Sequence, residues 1–115
     1  MRPLGELEAV VMERLWSADG ALTVREVLRH LDRDPPLAYN TVLTVMRKLH
    51  RKGFLLRTRD GRAFRYRPTK ERAEHTIDLM HDLLSDSADR SVILMRFIHG
   101  MSPNEVDRLK RALDD

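Results

Sequence analysis

Leu55-Leu56-Arg57-Thr58-Arg59-Asp60-Gly61-Arg62-Ala63-Phe64-Arg65-Tyr66-Arg67 sets arginine against apolar and hydroxyl residues on both sides of an Asp-Gly pair. Asp-Gly between two alternating runs is a strong β-hairpin signal. A helix comes immediately before it. From about Ala38 to Lys52 apolar residues recur at helical spacing, and Gly53 suits the C-terminal cap. Between Arg47 and Lys70 there are ten Lys and Arg residues against one acid, Asp60, a local charge of +9. A helix that runs into a basic hairpin is the shape a reader of duplex DNA needs. The helix fits the major groove, and the hairpin reaches the phosphates beside it.

Upstream, Leu4, Leu7, Val10, Val11 and Leu15, with Trp16 at the end, predict a first helix over residues 4–16. Asp19-Gly20 breaks it. Thr23 with Glu26 is a capping-box signature, and Val24, Val27, Leu28 and Leu31 supply the stripe of a second helix, stopped by Pro35-Pro36. Downstream of Pro68-Thr69-Lys70, a fourth helix is marked by Ala73, Ile77, Met80 and Leu84. A fifth is marked by Val92-Ile93-Leu94-Met95 with Phe97 and Ile98. A short sixth follows Ser102-Pro103-Asn104-Glu105 through Val106, Leu109 and Leu113. The chain reads as mainly α with a small β-hairpin wing. A winged helix-turn-helix over residues 1–69 is followed by a three-helix dimerisation region over residues 70–115.

At 115 residues with 42% hydrophobic content, the chain can form a packed core of one or two small domains. No cysteine is present, which excludes disulfides, thiol nucleophiles and Cys-based metal sites. No apolar run is long enough to span a bilayer and no signal-peptide pattern opens the chain, so the expectation is a cytoplasmic protein without membrane insertion. The net charge of +3 conceals a polarity: residues 1–70 carry +7 and residues 71–115 carry −4. One half is therefore suited to a polyanion.

On the third helix, steps of 100° place Val42, Val45, Met46 and Leu49 on a packing face. Asn40, Thr44, Arg47 and Arg51 fall opposite, flanked by Leu43 and Lys48. Asn pairs with adenine, Thr offers a hydroxyl and a methyl, and Arg forks onto guanine or phosphate. The N-terminal part of a recognition helix meets base edges, so Asn40, Leu43 and Thr44 are the expected base readers. Thr41, Arg47, Lys48, Arg51 and Lys52, with Arg57, Arg59, Arg62 and Arg65 of the wing, are the expected backbone contacts. A polar helix face alone would be an ordinary solvated surface, with Asn40 a simple N-cap. The arginine hairpin directly after it favours DNA. Phe64 and Tyr66 are expected to pack against the helices. Which arginines point outward depends on hairpin register.

The segments Leu4-Gly5-Glu6-Leu7-Glu8-Ala9-Val10-Val11-Met12 with Leu15-Trp16, and Thr23-Val24-Arg25-Glu26-Val27, resemble the penicillinase-repressor (BlaI/MecI) family. So do the run from Ala38 to Leu49 and Lys52-Gly53-Phe54. The resemblance covers nearly the whole chain. It implies a dimeric repressor on palindromic operators with TACA/TGTA-like cores, commonly controlling β-lactam resistance genes. A membrane sensor and protease acting indirectly would be its partners where such a system exists. The family can be induced by cleavage between Asn and Phe in the fifth helix. The matching dipeptide here is Arg96-Phe97, which keeps the phenylalanine and replaces the asparagine, and Phe97 is accounted for as a core residue.

Three short helices in 45 residues cannot bury all their apolar surface. A homodimer would supply the cover, with Ile77, Met80, Leu84, Ile93, Leu94, Phe97 and Leu109 as expected contributors, and its symmetry matches palindromic DNA. His75, Asp78 and Asp82 share one helix face at metal-compatible spacing, but they read as a solvated acidic face. No catalytic constellation, phosphate loop or cofactor motif is recognisable. Two other classes remain: a small-molecule-sensing winged-helix regulator, and a winged-helix protein-interaction module without DNA binding.

Overall fold

The computed structural model describes residues 4–115. Its elements run α1 (Glu6–Trp16), β1 (Leu22–Thr23), α2 (Val24–His30), α3 (Tyr39–Arg51), β2 (Leu55–Asp60), β3 (Ala63–Pro68), α4 (Arg72–Ser85), α5 (Arg90–His99) and α6 (Pro103–Asp114). The order is that of a winged helix-turn-helix followed by three helices. The residues form two compact units, one ending at Leu79 and the other spanning Met80–Asp115.

Local chemistry sets the element ends. α1 begins two residues later than the apolar repeat predicts, because Gly5 is extended and serves as its N-cap. There the Glu8 carboxylate accepts the Gly5 amide at 3.0 Å. The Thr23–Glu26 capping box of α2 forms as expected, each side chain accepting the other's amide at 3.1 Å. The Ser102–Glu105 box does the same for α6. Gly53, at φ +89°, ends α3: the Phe54 amide returns to the Leu49 carbonyl at 2.9 Å, a closure that favours a residue without Cβ. Gly61, at φ +63°, makes the tight turn between β2 and β3, where Asp60 faces Ala63.

The hairpin is not two-stranded. β1 pairs antiparallel with β3, Leu22 opposite Tyr66 and Thr23 opposite Arg65, giving the order β1-β3-β2. Two residues already read as a helix cap carry no strand periodicity, so this strand is invisible until β3 is placed beside it.

The core of the first unit joins Val11, Met12 and Leu15 of α1 to Val24 and Val27 of α2 and to Val42, Met46 and Leu49 of α3, with Phe54, Leu55 and Tyr66 below. Tyr66 is buried as expected, whereas Phe64 is only half-buried. The unit takes in the start of α4. Trp16 Nε1 donates to the Lys70 carbonyl at 2.9 Å, and Arg72 pairs with Glu13.

His75 departs from the solvated acidic face expected for it. It is 6% exposed, with its ring 5.3 Å from that of Trp16 and 5.2 Å from that of Phe54. Asp78 pairs instead with Lys70. Burial holds the His75 imidazole below its ordinary pKa, Asp78 opposing and Lys70 reinforcing the shift. The unfolded chain therefore takes up this proton first as pH falls. The His75 contribution is intact above the ordinary value of about 6.5 and is lost progressively below it. Melting temperatures at pH 7.5 and 5.5 test this. His75→Phe, which keeps an aromatic ring and cannot ionise, is expected to show a smaller acid-induced drop than the native chain.

Candidate nucleic-acid interface

Burial of one side of α3 decides what the other side shows. Val42, Met46 and Leu49 are fully buried, which leaves Asn40, Thr41, Thr44, Arg47, Lys48 and Arg51 exposed and Leu43 half-exposed. The Thr44 hydroxyl donates to the Asn40 carbonyl at 2.8 Å, which restricts its rotamer on the exposed face. Asn40 lies in the first turn of α3 after an extended Ala38, so Ala38 and not Asn40 is the N-cap. The Asn40 amide side chain is not used to cap the helix.

Strand register settles the wing arginines. Arg57 pairs with Tyr66 and Arg59 with Phe64, so these four share one face. On that face the Arg57 guanidinium lies 4.1 Å from the centre of the Phe64 ring and that of Arg59 lies 5.6 Å away. Phe64 thus serves as a platform that spaces two cations. Arg59 also donates from Nε to the Gly61 carbonyl at 3.2 Å, which ties it to the turn.

Two grooves separate this face of the wing from the helices. One, toward the C-terminal half of α3, is lined by Thr44, Arg47, His50, Arg51, Arg57 and Phe64. The other, toward the α3 N-terminus, includes Arg25, Tyr39, Leu43, Arg47, Arg62 and Phe64. No acidic residue lines either groove, and Arg47 and Phe64 line both. Arg47, Arg51 and Arg62 have no carboxylate within ion-pairing distance among the described residues. The arrangement can hold anionic groups along two cationic grooves.

Sequence reading missed three contributors to these grooves. Arg25 stacks over the Tyr39 ring at 5.4 Å, and His50 meets the buried Tyr66 ring edge-on. Arg25 follows the Thr23 cap directly, and that position at the start of α2 is the signal that could have drawn attention to it. His50 offers no comparable signal, being one of five scattered histidines.

Two expected phosphate contacts are engaged elsewhere. Lys52 Nζ lies 3.0 Å from Glu8 Oε2, so it faces α1. Burial pushes the Glu8 carboxyl up, yet the Gly5 amide and the Lys52 ammonium outweigh it and hold the group below its ordinary range. Arg65 is bound to Glu26 and Asp60.

A family model described as penicillinase repressor matches residues 4–115. The chain is 42% identical over 113 residues to the transcriptional regulator BlaI of Mycobacterium tuberculosis, in two strains alike. The match covers 96% of this chain and 82% of that protein. Among solved structures, it resembles a MarR family protein from Bacillus stearothermophilus at 24% identity and TM-score 0.52, covering 98% of this chain and 72% of that one. It also resembles hsRosR-S4, solved as a complex, at 19% identity and TM-score 0.56, covering 85% and 89%. These two likenesses concern the fold alone.

The difference between Arg51 and Lys52 is measurable. For a polyanionic duplex, Arg51→Gln is expected to reduce the slope of log affinity against log salt by about 0.9, the value of one neutralised phosphate. Lys52→Gln should leave the slope unchanged and instead lower the melting temperature, because it strands the buried Glu8 carboxylate.

Proposed function

The chain belongs to the penicillinase-repressor family, and on that premise we propose that it is a DNA-binding transcriptional repressor acting as a homodimer on palindromic operators in the cytoplasm. The observation that carries this reading is the acid-free cationic surface formed by the outer face of α3 and the Phe64 face of the wing. α3 enters the major groove with Asn40, Leu43 and Thr44 toward base edges. Arg47 and Arg51, joined by Arg25 and His50, flank it along the backbone. Arg57, Arg59 and Arg62 carry the wing onto the adjacent phosphates. Repression follows from occupancy of promoter DNA.

The homodimer is supported by what the last three helices leave uncovered. α5 and α6 contain no buried residue, although α5 carries Val92, Ile93, Leu94, Met95, Phe97 and Ile98. Phe97 is 59% exposed, so it is not the core residue of its own chain that sequence reading expected. Ile77, Met80 and Ile93 are between 42% and 50% exposed, and Leu84, Leu94 and Leu109 are half-covered. Water contact over that much apolar surface is unfavourable, and a second copy removes it symmetrically. Arg96 stands beside Phe97 where the family's cleaved bond has asparagine. The BlaI name of the relatives favours genes of β-lactam resistance as targets.

Binding to a duplex carrying a TACA/TGTA palindrome and to a scrambled duplex, across a salt series, tests the reading. Preference for the palindrome at two protomers per site is expected, and equal binding to both would refute sequence-specific repression through that operator. Asn40→Ala or Thr44→Ala is expected to lower the discrimination by about 1–3 kcal/mol per lost base contact, with little change on the scrambled duplex. Because Ile93 is exposed in the single chain, Ile93→Asp is compatible with folding. It should sediment as a monomer, and a persistent dimer would place the interface elsewhere.

A further inference from the structure

Arg65 belongs to the basic wing, yet its guanidinium is turned away from the face that carries Arg57 and Arg59. Register puts it across β3 from Thr58 on one side and Thr23 on the other. Its Nη1 donates to Glu26 Oε1 at 2.8 Å and to the Ala21 carbonyl at 3.3 Å, and its Nε donates to Asp60 Oδ2 at 2.6 Å. The same Glu26 oxygen accepts the Thr23 amide at 3.1 Å, so one carboxylate closes the first turn of α2 and grips the third strand.

Packing alone does not hold the outer half of the wing. Along β2 Leu55 is buried and every later residue is exposed, and along β3 Tyr66 is the buried position. Beyond those two anchors, the hairpin is joined to the helical body by the two-residue pairing with β1, by half-buried Phe64 and by the Arg65 side-chain contacts. With two carboxylates on it, the Arg65 charge is already compensated. A phosphate approaching it would meet two carboxylates already in place.

We propose that Arg65 is a positioning residue of the interface, not a phosphate contact. The Glu26–Arg65–Asp60 clasp sets the angle of the wing to α3, so that Arg57, Arg59 and Arg62 meet the backbone while α3 is seated in the groove. The proposal rests on the DNA-reading role of α3 and adds how its geometry is held.

Glu26→Gln separates the two roles by the sign of its effect. The amide oxygen still accepts the Thr23 amide, so the cap survives while the charge that holds Arg65 is lost. If Arg65 bound phosphate, this change would release a cation and remove a negative charge beside the DNA, and affinity would rise. If Arg65 positions the wing, affinity for the palindromic duplex falls, by about three- to fivefold for an exposed pair of this kind. Arg65→Gln should weaken binding to the same extent, and the double variant should be no weaker than either single one. In the free protein, amide hydrogen exchange across residues 57–66 should accelerate in both variants while the core amides of α3 keep their protection. Tighter binding by Glu26→Gln, losses that multiply in the double variant, or unchanged exchange in the wing would each overturn the proposal. The exchange experiment needs no DNA. It tests the clasp even where no duplex is bound, an outcome that would instead overturn the DNA-reading role.

Discussion

Burial of one face of α3 is the constraint on which the rest depends. Val42, Met46 and Leu49 are fully excluded from water between α1, α2 and the base of the wing. Losing any one of these side chains to alanine carries a penalty of about 2–5 kcal/mol for Met or Leu, a large share of the stability of a small domain. The helix therefore cannot rotate about its axis. A helix pinned in this way presents the residues half a turn away, Asn40, Thr44, Arg47 and Arg51, as a fixed row. Recognition by hydrogen bonds to base edges requires that fixity, because a side chain on a rolling helix would pay again to be ordered at each encounter.

Charge on this surface is organised as well as abundant. Arginines crowded on a small hairpin repel one another, and the fold keeps them apart by three different means. Phe64 separates Arg57 from Arg59 through its ring face, the Gly61 carbonyl takes the Arg59 Nε, and two carboxylates neutralise Arg65. Lys52 is likewise drawn to Glu8 and consolidates the junction of α1 with α3. Basic residues of one short segment thus divide into a set available to a polyanion and a set that holds the scaffold. Both sets are positive in composition, but the second has its charge matched by carboxylates of the fold.

Much of this was legible in the residues. The 3.6-residue repeat gave the burial of α3, Gly53 its end, and Asp60-Gly61 the turn, because each rests on local backbone preference or on periodicity. β1 was not legible: Leu22 and Thr23 become a strand through their partner β3, and a two-residue partner leaves no pattern. Nor was His75, whose face-mates Asp78 and Asp82 suggested solvent while Trp16 and Phe54, distant in the chain, enclosed it. The exposed apolar residues of α5 carry a related lesson. Their sequence is that of a covered helix, and the single chain does not supply the cover.

The separation of Arg65 from Arg57 and Arg59 shows where sequence reading stops in physical terms. All three alternate with apolar or hydroxyl residues, and composition treats them alike. Their difference is one of parity across a turn. Gly61 and Arg62 form a two-residue loop, so Asp60 faces Ala63 and the pairs Arg59–Phe64 and Arg57–Tyr66 fall on the face directed at α3. A slip of β3 by one residue would move Arg65 and Arg67 to the face of Arg57, but it would also lift Tyr66 out of the core, so burial holds the register that the short loop allows. The positive φ of Gly61 makes the short loop accessible. The two-residue turn and the burial of Leu55 and Tyr66 together decide which arginines share the face of Phe64 and which turn toward Glu26.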